Sequence, residues 1–167
     1  MNRYKDFFDQ DEWLTVQFAL MWIFRGVAGA DGKIDKEEQT ALNQVISSAD
    51  NFEEQLIKDV FYSIQQNPGI IFRQSINDTR NFRTGLDDTA RILDQKVSLE
   101  EAMMYKKTLI AIGIFVANAS GDGTNRKNIS DQEVGTLSKL AHYLKLDMKD
   151  LQTNPNVEDI LTKFDTE

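Results

Sequence analysis

The chain has 167 residues, of which 41% are hydrophobic and 28% charged, with a formal net charge of −8 and a pI of about 4.7. This length suits one domain with a sizeable core, and so acidic a chain repels phosphate, which argues against nucleic acid as a partner. The absence of cysteine excludes disulfides, thiol nucleophiles and thiolate metal sites, and it fits a cytoplasmic location.

Helix signals follow one another from the first residues onward. Apolar residues recur at helical spacing, and the apolar–polar alternation typical of strands is absent from the sequence. Asp9 and Glu12 form a capping box that predicts a first helix running to about Ala28. Asp35 and Glu38 form a second box and predict the start of the next helix. The pattern predicts an all-α protein.

The middle of the chain carries weaker signals for the starts and ends of helices. Asp50 and Glu53 predict the start of a third helix, which the Asn-Pro-Gly sequence at residues 67–69 ends. Helical spacing continues over residues 70–82. The sequence does not place the helix boundaries between residues 70 and 98.

A long apolar helix is predicted next. Ser98 and Glu101 form a capping box that opens a helix through Ala119. Its apolar run covers residues 109–119, which is shorter than the roughly 20 residues that a membrane span requires. We therefore expect a buried core helix and no membrane span.

The last third of the chain predicts three further helical segments. Ser130 and Glu133 open a helix that ends near Leu144. Two short helical stretches follow, at residues 146–151 and 156–164.

The segments that follow the two most apolar helices repeat one another. Residues 23–32 match residues 114–123 at an offset of 91, since Ile23 aligns with Ile114. After the Asp-Gly pair of each copy the offset becomes 95, since Glu38 aligns with Glu133.

This repeat predicts the organisation of the whole chain. We expect a single domain over residues 1–167, built as a helical bundle of two pseudo-symmetric helix–loop–helix units at approximately residues 13–49 and 104–144. Each unit holds a buried helix, an Asp-Gly loop and a capped amphipathic helix.

Each Asp-Gly loop has two interpretations. In the first, the loop is a hinge: Gly32 or Gly123 ends one helix at positive φ, and Asp35 or Ser130 caps the next. In the second, the loop binds a cation through oxygen ligands. A complete EF-hand is excluded, because the first loop has no oxygen-bearing side chain at positions 1 and 3 and the second has Ile129 at position 12.

The acidic residues of the two loops still suit a hard cation such as Ca²⁺ or Mg²⁺. The first loop offers Asp31, Asp35 and Glu38. The second loop adds Asp122 and Glu133 if a pseudo-twofold axis brings the loops together. Capping alone explains Asp35 and Glu38, so the hinge interpretation remains open.

Residues 28–42 resemble the first signature of TerB-like domains, a family named for tellurite resistance. Residues 117–123 and 128–147 resemble the second signature, including the closing Leu-x-Leu-Asp of residues 144–147. The resemblance covers roughly residues 13–147. It implies an all-helical fold of two pseudo-symmetric units and a role in stress-response or membrane-associated defence complexes.

The resemblance also implies an acidic patch that binds divalent metal. The patch maps onto Asp31, Asp35 and Glu38 from the first signature and onto Asp122 and Glu133 from the second.

The expected function is that of a cytoplasmic TerB-like stress-response module, which binds a divalent cation and protein partners. No enzyme is expected, because no nucleophile–base pair, phosphate-binding loop or histidine metal triad is visible in the sequence. One alternative is a metal-free helical protein-interaction module whose loops are hinges. Another is a metal-dependent hydrolase that uses the same carboxylates.

Overall fold

A computed structural model describes residues 4–28, 35–119, 131–153 and 155–164, apart from the side chains of residues 131–134 and 148. Within these ranges every regular element is helical, and no strand is present. The all-α class predicted from the apolar spacing is therefore confirmed.

The described ranges hold nine α-helices in chain order: α1 (Gln10–Ala28), α2 (Lys36–Ser47), α3 (Gln55–Gln66), α4 (Pro68–Asn77), α5 (Phe82–Lys96), α6 (Leu99–Ala119), α7 (Asp131–Tyr143), α8 (Met148–Gln152) and α9 (Val157–Leu161). Short 3-10 turns lie at Tyr4–Phe7, Ala49–Asn51 and Thr162–Phe164.

The capping boxes predicted for α1 and α6 are both formed. Asp9 Oδ1 accepts the N–H of Glu12 at 2.8 Å, and the Glu12 carboxylate accepts the N–H of Asp9 at 2.8 Å. Ser98 and Glu101 exchange the same pair of bonds at 3.1 and 3.2 Å. Each box supplies acceptors for backbone N–H groups that a helix start leaves without a partner.

The predicted start of the third helix at Asp50 is wrong. Residues 49–51 form a 3-10 turn, and α3 begins at Gln55. The Asp50 carboxylate accepts a hydrogen bond from the hydroxyl of Tyr62 instead of capping a helix. Phe52 is 1% exposed and adopts an extended backbone, which directs its ring into the core before α3 begins.

The region without predicted boundaries forms two helices with a break between them. Pro68 occupies the first turn of α4, where its missing N–H costs no hydrogen bond. Asn81 caps α5 by accepting the N–H of Thr84 at 2.9 Å. The break at residues 78–81 is held by Asp78, whose carboxylate accepts both the N–H and the guanidinium of Arg80.

The two most apolar helices, α1 and α6, pack against each other at the centre of the core. Helices α4, α5 and α7 contact α1, while α2, α7, α8 and α9 contact α6. Trp22 on α1 and Tyr105 on α6 are fully buried. A helix that is apolar nearly all round belongs in such a position, as the sequence predicted.

Helix α6 is, within the described ranges, the one helix long and apolar enough to cross a membrane. Of its most apolar 18-residue window, 72% is buried inside the protein. A mostly buried core helix can be as long and as apolar as a membrane-spanning helix, so these two properties are weak evidence for a membrane span.

The Leu-x-Leu-Asp sequence after α7 turns the chain from one helix to the next. Lys145 adopts φ of 65°, and its N–H donates to the carbonyl of His142 at 2.9 Å. The N–H of Leu146 donates to the carbonyl of Ala141 at 2.9 Å, which completes a Schellman motif. Asp147 then caps α8 through a capping box with Asp150.

Replacing Lys145 with glycine is expected to stabilise the protein by about 0.5–1 kcal/mol, because a left-handed backbone strains every residue with a Cβ. The Lys145–Asp87 ion pair that is lost spans 3.7 Å between half-exposed side chains, and such pairs contribute little. Urea unfolding measures the change. The Lys149→Gly control, at an exposed position of α8, should destabilise, and stabilisation by both variants would contradict the assignment.

Candidate functional site

The central helices α1 and α6 run parallel to each other. The hydroxyl of Tyr105 donates to the carbonyl of Val16 at 2.8 Å, and each of these residues is the seventh of its helix. Further along, a Cβ built at Gly113 would lie 3.3 Å from Val27 and 3.4 Å from Ile23. Contacts that advance together along both helices place their carboxyl ends at the same end of the bundle.

Ala28 and Ala119, the residues before the two Asp-Gly segments, therefore lie at the same end of the bundle. The first segment follows Ala28, the last residue of α1, and the second follows Ala119, the last residue of α6. The residue pairs in contact are Val16 with Tyr105, Ile23 with Gly113 and Val27 with Gly113, and they are separated by 89, 90 and 86 positions. Those separations are close to the offset of 91 between the repeated segments.

The acidic pair Asp35 and Glu38 opens α2 at this end of the bundle. Asp35 Oδ1 accepts the N–H of Glu38 at 2.7 Å, and Glu38 Oε1 accepts the N–H of Asp35 at 2.9 Å. Glu38 is 1% exposed, while Asp35 is partly buried. The box thus engages one oxygen of each carboxylate, and the capping function is shared between the two residues.

Asn118 lies in the last turn of α6, one residue before the helix ends at Ala119. Its Oδ1 atom is among the few buried side-chain oxygens of the described residues that have no hydrogen-bond partner. A buried carbonyl oxygen without a donor is costly unless some other group satisfies it. Hard cations accept amide carbonyl oxygens as ligands, so Asn118 fits a cation at this end of the bundle.

The side chains of the other three predicted metal ligands, Asp31, Asp122 and Glu133, are not described. Asp31, Asp122, Gly32 and Gly123 lie outside the described residues, and so do the φ angles predicted for the two glycines. Glu133 lies in the first turn of α7, but its side chain is not described. Among the side chains that are described, no group of three or more carboxylates or imidazoles could hold a metal.

A cavity of about 580 Å³ lies beside the Asp35–Glu38 box. Its walls come from the exposed face of α2, the last turns of α6 and the end of α9. The described residues that line it are Lys36, Glu37, Thr40, Ala41, Gln44, Phe115, Asn118, Ala119, Leu161 and Thr162. The cavity therefore lies between the start of α2, the last turns of α6 and the end of α9.

A second cavity of about 610 Å³ lies on another face, between the start of α1, the end of α3 and the start of α4. Gln17 lines it and donates to the hydroxyl of Ser63 at 2.6 Å. Phe8 is buried against Trp13, whereas Phe7 is 49% exposed. The N-terminal aromatic segment thus covers the bundle with part of its side chains.

Two buried lysines on α6 were not singled out from the sequence. Lys106 is 4% exposed and pairs with Asp94 of α5 at 3.0 Å. Lys107 is 3% exposed, and burial lowers its pKa. Its ammonium donates to the carbonyls of Thr153 and Pro155 at 3.3 and 3.4 Å. The signal in the sequence was a Lys-Lys pair inside an otherwise apolar helix, since lysine is rarely buried without a partner.

Comparisons with protein-family models, curated proteins and solved structures found no match to this chain.

Proposed function

We propose that this chain is a TerB-like helical module of a cytoplasmic stress-response pathway. It binds protein partners, and it binds a divalent cation weakly at the end of the bundle where α1 and α6 both end. The stress-response part of the proposal rests on the resemblance of the two signatures, at residues 28–42 and at residues 117–123 with 128–147.

The observation that carries the proposal is the parallel packing of α1 and α6. It supports a pseudo-symmetric arrangement, because residues in contact across the pair are separated by nearly the offset of the sequence repeat. It also brings the starts of the two acidic loops to one end of the bundle. If the predicted carboxylates of both segments gather at that end, they would repel one another, and a cation would relieve that repulsion.

Asn118 gives independent support for a cation at this end. Its buried Oδ1 has no donor among the described residues. Together with Asp31 and Glu38, it would supply three protein oxygens to Ca²⁺ or Mg²⁺, and water would complete the coordination. So few protein ligands imply weak binding, with a dissociation constant on the order of 10⁻⁴ M.

Addition of Ca²⁺ to about 1 mM is then expected to stabilise the protein by about 1.4 kcal/mol. For a chain of this length that corresponds to a rise in Tm of about 3–6 °C. Thermal unfolding with Ca²⁺ or Mg²⁺, at matched ionic strength, measures the rise. The double variant Asp31→Asn with Glu38→Gln should abolish the rise, because it removes two carboxylate charges from the proposed site. It should leave α2 intact, because a glutamine side chain can still complete the capping box.

The matched control is Glu12→Gln, which makes the same change in the capping box of α1. This variant should retain the full response to Ca²⁺. Asn118→Leu should reduce the response to Ca²⁺, because leucine is similar in size to asparagine but has no oxygen to bind the cation. An absent rise in the native protein, or an equal rise in the double variant, would leave the metal-free interaction module as the better description.

A further inference from the structure

The second cavity, of about 610 Å³, lies at the end of the bundle where α1 begins. Four of its lining residues, Gln10, Trp13, Leu14 and Gln17, recur on α1 at positions i, i+3, i+4 and i+7, which form one face of a helix. The volume is within the range of about 300–1,000 Å³ that is typical of small-molecule sites. The cation proposed above would bind beyond the other end of α1, roughly 20 Å from Trp13 along the helix axis.

Apolar side chains form part of the wall of this cavity. Trp13 is 4% exposed, Phe8 and Ile71 are each 7% exposed, and all three line it. The centroids of the Phe8 and Trp13 rings lie 5.5 Å apart, and the ring planes meet at 42°. Two aromatic rings in the wall favour a planar aromatic ligand, because aromatic rings pack well against one another face-on or edge-on.

The N-terminal segment that carries Phe8 is held by residues far along the chain. The backbone N–H of Tyr4 donates to the carboxylate of Asp59 at 2.8 Å, and Asp59 is 0% exposed. The hydroxyl of Tyr4 donates to the carboxylate of Glu101. The N–H of Phe8 donates to the carbonyl of Lys5 at 3.3 Å. This wall is therefore formed before a ligand arrives, so binding does not have to order it.

Gln17 and Ser63 place two polar groups side by side in the cavity. Gln17 is 3% exposed, and its side-chain N–H donates to Ser63 Oγ at 2.6 Å. Gln17 Oε1 accepts no hydrogen bond from a described residue, and it is not sealed inside the protein as the unpartnered oxygen of Glu54 is, so it is open to the cavity. The Ser63 hydroxyl likewise donates to no acceptor within the described ranges. The cavity thus presents one free acceptor and one free donor together.

A carboxamide complements this pair. Its N–H groups can donate to Gln17 Oε1 while its carbonyl accepts from the Ser63 hydroxyl. Trp13 lies one helical turn before Gln17, at a rise of about 6 Å along α1. A ring that packs on Trp13 would therefore carry an attached amide to Gln17.

The charges around the cavity favour a neutral ligand. The charged side chains among the described lining residues are all exposed, and they belong to Lys5, Asp6 and Asp9. A charged ligand group beside the buried Gln17 would lose its water without gaining an opposite charge, which is costly.

We propose that this cavity binds a neutral aromatic carboxamide, whose ring packs against Trp13 and Phe8 and whose amide bonds to Gln17 and Ser63. Binding of such a small molecule goes beyond the proposed function. The cavity shares no residue with the proposed cation site. Loss of the Ca²⁺ response would therefore leave this proposal standing, and failure of the proposal would leave the cation site standing.

The test uses benzamide as the probe and proton–nitrogen correlation NMR of the native chain, in EDTA, as the readout. The side-chain amide signal of Gln17 and the indole N–H signal of Trp13 should shift with a dissociation constant on the order of 1 mM, as expected for so small a ligand. The indole signal of Trp22, which is fully buried beside Arg80, should stay in place. Absence of shifts at Gln17 and Trp13 with benzamide at about 10 mM would overturn the proposal.

Matched probes show which part of the ligand is recognised. Toluene has the ring without the amide, and benzoate replaces the amide with a charged group that has no N–H donor. Each should bind at least about tenfold more weakly than benzamide, which corresponds to the loss of about one hydrogen bond. Toluene or benzoate that binds as tightly as benzamide would overturn the proposal, because the amide would then not be recognised.

Variants of the full chain test the two polar groups. Gln17→Leu should weaken benzamide binding about tenfold, since it removes the acceptor and nearly keeps the size of the side chain. Gln39→Leu makes the same change at an exposed position of α2 and should bind as the native chain does. Ser63→Ala removes the donor from a half-buried position and covers the case in which Gln17→Leu does not fold. Undiminished binding by either variant, with its helical circular dichroism retained, would contradict the assignment of the pair and overturn the proposal.

Discussion

Replacing Arg80 with alanine is expected to lower the free energy of unfolding by about 2–3 kcal/mol. The guanidinium pairs with Asp78 at 2.8 Å and with Asp88 at 3.0 Å. It also donates to the hydroxyl of Thr15 at 3.1 Å and lies 5.1 Å from the centroid of the Trp22 ring. One side chain thus joins the break after α4, helix α5 and helix α1, and its removal leaves two partly buried carboxylates with fewer partners.

Arg91→Ala is the matched control for this change. Arg91 pairs with the same Asp88 at 2.8 Å, but its side chain is 51% exposed. An exposed pair of this kind contributes less than about 1 kcal/mol. Urea unfolding of both variants measures the difference, and equal losses would show that Arg80 acts as an ordinary surface charge.

The stability that Arg80 contributes should depend on pH. The hydrogen bond from Arg80 lowers the pKa of Asp78. Burial raises the pKa of Asp88, but hydrogen bonds from Arg91 and Arg80 outweigh it, so the pKa of Asp88 is also lowered. A carboxylate with a lowered pKa stabilises the folded state above its unfolded pKa, and this contribution is lost as the pH falls through the folded value.

The stability difference between the native chain and Arg80→Ala should therefore stay constant above about pH 5 and shrink below about pH 4. Urea unfolding at a series of pH values measures it. A difference that is as large at about pH 3 as at neutral pH would mean that Arg80 contributes through its packing on Trp22 and not through the two carboxylates.

Replacing Gly85 with alanine is expected to destabilise the protein by about 2 kcal/mol, although alanine in a helix interior is normally favoured over glycine by about 1 kcal/mol. A Cβ at Gly85 would lie 2.7–2.8 Å from three atoms of the Trp22 ring. That ring is fully buried between the Arg80 guanidinium and the edge-on ring of Phe18, so it has little room to shift.

Gly135→Ala is the opposite case on α7. Gly135 is exposed, and among the described residues, apart from its chain neighbours and the backbone of its own helix, no atom lies within 4 Å of a Cβ built there. The change should stabilise by about 0.5–1 kcal/mol, since it removes the flexibility of glycine from a helix. Chemical unfolding of both variants gives the two signs. Stabilisation by both would mean that Trp22 moves freely and that α5 does not need its close approach to α1.

Features that depend on residues close together in the chain could be predicted from the sequence. The capping boxes at Asp9, Asp35 and Ser98 each join residues three positions apart, so the helices they open were located correctly. The burial of α1 and α6 followed from their nearly continuous apolar composition. These signals were sufficient for the all-α class and for most helix boundaries.

Part of the candidate site could be predicted in the same way. Asp35 and Glu38 lie together at the start of α2 because their spacing matches one helical turn. Their spacing could not show that Glu38 is buried or that Asn118 has an unpartnered oxygen. Both properties depend on the elements packed around them.

Only the tertiary structure decided the remaining features, because each joins residues far apart in the chain. Tyr62 engages Asp50 and prevents it from opening a helix, and Arg80 holds the break between α4 and α5 against α1. Lys107 is buried because the α8–α9 connection supplies carbonyl acceptors 46 and 48 residues away. The Phe164 ring contacts the Phe115 ring of α6. The preceding helix, α9, is too short to persist alone and is stabilised by its packing on α6.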